Sequence, residues 1–92
     1  MIYLALVHTD RPDNYGVSFP DVPGCIATGE TLEGAIESAS EALEFHFEGL
    51  IEDGETIPNP RTIHELRDDR EFGVLAGEAI IVPVEFRNAV AA

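Results

Sequence analysis

Ninety-two residues with 45% apolar content give one domain with a modest core. Eighteen acidic residues face five arginines and no lysine, for a net charge of −13, which argues against direct contact with phosphate backbones or anionic lipid. No apolar run approaches the roughly 18 residues of a membrane span, and one cysteine, Cys25, makes no internal disulfide, so a soluble, cytoplasmic chain is expected.

Ile2 to His8 is almost uninterruptedly apolar and predicts a central strand buried on both faces. Asp10 to Asn14 is a turn cluster. Tyr15, Val17 and Phe19 then alternate with small residues as a half-buried second strand that pairs with the first. Pro20 to Gly24 interrupts the pattern, and Cys25 to Thr28 resumes it as a short third strand. Thr31 is a good N-cap for a helix over residues 32–53, whose apolar positions recur at helical spacing until Gly54 stops it. A Pro-rich return segment follows, and Thr62-Ile63-His64-Glu65 has capping-box form for a short helix to about Arg70. Glu78 to Phe86 is a last strand, placed at a sheet edge by Pro83.

These elements predict an α+β fold in the order β-β-β-α-(short α)-β. The sheet is mostly antiparallel and four-stranded, ordered 3-2-1-4, with the long helix on one face. A right-handed crossover through that helix is expected to set the last strand parallel to the first. The other face of the apolar first strand then needs a cover, for which a second copy of the chain is the simplest candidate, making a homodimer or higher homo-oligomer.

On the long helix Leu32, Ile36, Ala39, Leu43, Phe47 and Leu50 form the stripe toward the sheet. Opposite lie Glu33, Glu37, Glu41, Glu44, Glu48 and Glu52, in a band about 100° wide with no cation on the helix. Four i,i+4 pairs of like charge (33/37, 37/41, 44/48, 48/52) cost the fold roughly 1 to 2 kcal/mol together. Glu48, Glu52 and Asp53 also sit at the unfavourable end of the helix dipole. The band is therefore either a solvated face or a site for a basic protein. Phe45 projects beside it, among Gly34, Ser38 and Gly49, as a candidate anchor or as a residue lidded by Ile57, Ile63 and Leu66.

No catalytic, metal or cofactor constellation emerges. Cys25 has no local signature linking it to His8, His46 or His64 and reads as a small core filler. HExxH and CxxC spacings are absent, and the first strand carries no carboxylate for metal-assisted phosphodiester chemistry.

The run Tyr15 to Cys25 (YGVSFPDVPGC), followed by Ala27 to Glu33 (ATGETLE) and Ala35, closely resembles the HicB antitoxin family. Glu52-Asp53-Gly54-Glu55 with Ile57-Pro58 is similar to the family's post-helix segment, and the likeness spans residues 1–87, leaving 88–92 as a tail. The resemblance implies a partly degraded ribonuclease H-like core without that enzyme's metal-binding carboxylates. It also implies a partner, a small basic HicA-type toxin that cleaves mRNA with a histidine on a double-stranded-RNA-binding-like fold. Many members continue into a DNA-binding domain, whereas this sequence stops at Ala92, so none is expected within it. The two functional readings are a non-enzymatic antitoxin and an orphan accessory domain whose acidity serves solubility. Candidate contact surfaces are the glutamate band with Phe45, the loop around Asp21 and the sheet edge at Pro83.

Overall fold

The computed structural model describes residues 1–86, so the expected tail 88–92 lies outside the described residues. The chain runs β1 (Ile2–Arg11), β2 (Asn14–Ser18), β3 (Ile26–Gly29), α1 (Leu32–Glu52), α2 (Ile63–Arg67), α3 (Arg70–Ala76) and β4 (Ile80–Glu85). The sheet order is β3-β2-β1-β4, as the sequence predicts.

β1 reaches further than its apolar run. Arg11 pairs with Asn14 across a turn at Pro12-Asp13, with an irregularity between Thr9 and Arg11. Local side chains hold this end: the Thr9 hydroxyl donates to the Arg11 carbonyl at 2.7 Å, and Asn14 Nδ2 donates to Asp10 Oδ1 at 3.1 Å.

One expectation is overturned. β4 runs antiparallel to β1, from Val7↔Ile80 to Ile2↔Glu85, so the whole sheet is antiparallel. α1 doubles back after β3, and a strand directly after it would indeed run parallel to β1. Instead residues 55–79 carry the chain across the opposite face and back to the Val7 end, and this second pass reverses the last strand.

The first core lies between the sheet and α1. Tyr3, Ala5, Val7, Val17 and Val84 pack with Ala35, Ala39, Leu43 and Phe47. The Phe47 ring meets Tyr3 and Phe86 edge-on, at centroid distances of 5.2 and 4.7 Å. Ala35 is fully buried while Leu32 stays 37% exposed, so the inward stripe is rotated slightly from the expected one. Gly29 explains the close seat of α1: a Cβ there would stand 2.5 Å from the Ala35 backbone nitrogen.

The second core uses the even residues of β1. Leu6, with Leu4 beside it, packs against Leu66 and Phe72, joined by Ile63, Ala76 and Ala79. The cover expected from a second copy is thus supplied, over β1, by α2 and α3 of the same chain. α2 has the anticipated capping box, with Thr62 Oγ1 accepting from the Glu65 N–H at 3.2 Å and Glu65 Oε1 accepting from the Thr62 N–H at 3.0 Å. The single short helix expected to about Arg70 is two helices, because Asp69 caps a new one, its Oδ1 accepting from the Glu71 N–H at 2.9 Å.

Candidate functional site

α1 forms where the sequence places it because both ends are closed by its own residues. Thr31 Oγ1 accepts from the Gly34 N–H at 3.0 Å, and a Cβ on residue 34 would crowd that same hydroxyl, which accounts for a glycine in the first turn. At the far end Gly54, at φ 73°, lets the Gly54 N–H reach the Ile51 carbonyl at 3.1 Å and the Glu55 N–H reach Leu50 at 2.8 Å. That is a Schellman closure.

With Ala39, Leu43 and Phe47 buried, helical geometry turns the glutamate band outward. Glu33, Glu37, Glu41, Glu44, Glu48 and Glu52 are all exposed, and among the described residues none of the six enters an ion pair. Phe45 is 79% exposed, between Glu41 one turn before it and Glu48 one turn after. The lid considered for it goes elsewhere: Ile57 packs on the first core, and Ile63 and Leu66 belong to the second. Next to Phe45 on the wheel, a Cβ at Gly49 would meet nothing within 4 Å, so this stretch of helix backbone is bare. Together these residues present a flat anionic surface with one aromatic projection.

Asp21 lies apart from this surface. Its side chain is 6% exposed, with Oδ2 accepting from the Arg61 N–H at 2.8 Å and Oδ1 from Arg61 Nε. Arg61 Nη1 also donates to Asp69 Oδ2 at 2.9 Å. The hydrogen bonds to Asp21 and Asp69 raise the Arg61 pKa further. Asp69 in turn is held below the usual carboxylate range, first by Arg61 and then by the Glu71 N–H. The three residues form a latch between the loop after β2, the return segment and α3. Sequence reasoning missed Arg61, whose partner Asp21 is 40 positions away with no local signature.

Cys25 is buried and burial pushes its thiol up, away from the thiolate a nucleophile needs. His46 is half-buried with its ring 6.3 Å from Phe47, and His8 and His64 are exposed. Among the described residues no three His, Cys, Asp or Glu side chains gather as a metal site would require, and no helix is long and apolar enough to cross a membrane.

Residues 3–90 match the family model described as the HicB-like antitoxin of bacterial toxin-antitoxin systems. The chain belongs to the HicB-like antitoxin family. It is similar to antitoxin HicB 1 of Photorhabdus laumondii, 50% identical over 60 residues that make up 65% of this chain and 39% of that protein. Among solved structures, the Burkholderia pseudomallei antitoxin HicB superposes with a TM-score of 0.77 at 36% identity, covering 94% of this chain and 63% of that one. A chain of a HicA3–HicB3 toxin-antitoxin complex superposes with a TM-score of 0.74 at 28% identity, over 96% of this chain and all of the other. The chain spans less than half the length of the HicB antitoxins of Photorhabdus laumondii and Escherichia coli that it matches. The antiparallel sheet and long helix are thus a HicB-like fold.

Proposed function

We propose that this chain is a non-catalytic antitoxin that neutralises a small, basic, mRNA-cleaving HicA-type toxin in the cytoplasm by covering the toxin's cationic surface with the outer face of α1. The carrying observation is the set of six exposed, unpaired glutamates bordering an exposed Phe45. The arrangement weakens the isolated helix by like-charge repulsion, and an opposing cationic surface converts that cost into attraction. Phe45 adds what charge alone lacks, an apolar body that fixes orientation once water is excluded around it. Family membership and the likeness to a chain of a toxin-antitoxin complex support the same reading. Asp21, whose carboxylate faces Arg61, is left out of the proposed surface.

Calorimetric titration against a HicA-type toxin tests this. Wild-type affinity is expected to fall with rising salt, and the triple change Glu41→Lys, Glu44→Lys, Glu48→Lys to weaken it at least 100-fold at low salt. Unchanged affinity in the triple variant would move the site off α1.

A further inference from the structure

We propose that the outer face of α1 selects an arginine of its partner, seating the guanidinium flat on the Phe45 ring with its N–H edge turned to the surrounding glutamates. The inference rests on the antitoxin reading above and names the chemical group the partner must present. Phe45 is 79% exposed, and among the described residues no ring and no cation stands against it. Folding therefore gains little from an aromatic at this position. Glu44 adjoins it in sequence, and Glu41 and Glu48 lie one turn before and after it, all exposed. Gly49 is a second residue the fold does not call for. Glycine costs a helix stability relative to alanine, and Gly49, unlike Gly34, has no close neighbour that a Cβ would crowd. Helical side chains lean toward the N-terminus, so a longer side chain at position 49 would lie over the turn that carries Phe45. The glycine keeps a face of the ring open.

The chemistry of this surface selects the occupant. A wholly apolar anchor set on Phe45 would strip water from the carboxylates around it and return no counter-charge. A lysine ammonium is a compact, strongly hydrated charge that the glutamates satisfy by themselves, with no use for the ring. A guanidinium meets both features. Its flat face is weakly hydrated and stacks on the electron-rich face of an aromatic, while its in-plane N–H groups bond carboxylates at the rim. An apolar plate flanked by acids is the complement of that ion. The glutamate band attracts any cationic surface, and Phe45 with Gly49 supplies the choice among cations.

Calorimetric titration of the 92-residue chain with poly-arginine and poly-lysine peptides of equal length, at low salt, tests this. Wild type is expected to bind poly-arginine more tightly. Phe45→Leu, which keeps an apolar side chain but removes the ring, is expected to weaken poly-arginine binding about threefold or more and leave poly-lysine unchanged, whereas Phe45→Tyr keeps the preference. Gly49→Gln is expected to raise the thermal midpoint, since glutamine is the better helix former, yet to weaken poly-arginine to the same extent. Wild type with no preference for poly-arginine, an equal response of both peptides to Phe45→Leu, or undiminished poly-arginine affinity in Gly49→Gln would each overturn the proposal. Charge reversal of Glu41, Glu44 and Glu48 to lysine separates it from the antitoxin reading. If that variant loses both peptides while Phe45→Leu loses neither, the anionic surface stands and only the arginine preference fails. If it keeps both, α1 is not the cation-binding face.

Discussion

Arg61 ties three separate stretches of chain together, and its two acidic partners differ in how they are placed. Asp21 is 6% exposed at its side chain and Asp69 33%, so the Asp69 arm faces water and is the one salt and acid reach first. Asp69 and Glu65 both have pKa values lowered by bonds that exist only in the folded chain: Arg61 and the Glu71 N–H for Asp69, the Thr62 N–H and hydroxyl for Glu65. The unfolded chain therefore takes up protons more readily at these groups. Their contribution is fully present above the usual carboxylate range, about pH 4, and is lost as pH falls through the lowered folded values. Amide protection factors measured by NMR are expected to drop in α2 and α3 below about pH 4 before they drop in the β1–β2 ladder. The capping box behind Glu65 was legible because it spans four consecutive residues. The Asp21–Arg61 pair was not, because only the return of the chain across the sheet brings those positions together.

At the scale of elements, α1 is the most legible part of the molecule. Its cap, its apolar spacing, its Gly54 stop and its acidic band all lie within one local stretch, and the structure differs by one residue at the end and by the exchange of Leu32 for Ala35 in the core. α3 was hidden because Asp68-Asp69 reads in the sequence as a solvated loop, whereas Asp69 caps a helix. The docking of Phe72 on Leu6, a tertiary contact, decides between them. The band on α1 sets fold against binding. Neutralising Glu41, Glu44 and Glu48 to Gln removes three of the four like-charge i,i+4 pairs, so urea denaturation is expected to show the triple variant about 1 kcal/mol more stable than wild type. A loss of stability would mean the band has internal partners after all.

For the whole molecule, strand order followed from the apolar character of β1 and the proline in β4, but strand direction did not. Direction depends on whether the chain crosses the sheet once or twice between α1 and β4, and a Pro-rich stretch followed by one visible cap does not record that. Net charge acts at this scale too. At −13 the folded chain is compressed against its own repulsion, so its thermal midpoint is expected to rise by about 5 °C between low and high salt in scanning calorimetry. The antiparallel return of β4 has one more effect. The Met1 ammonium donates to the Phe86 carbonyl at 3.1 Å, and the Phe86 N–H donates to the Met1 carbonyl at 2.8 Å. Met1 and Phe86 are thus facing neighbours at one corner of the sheet. The start of β1 and the residue after β4 clamp each other there, so fraying at that corner is one event that opens both strands together.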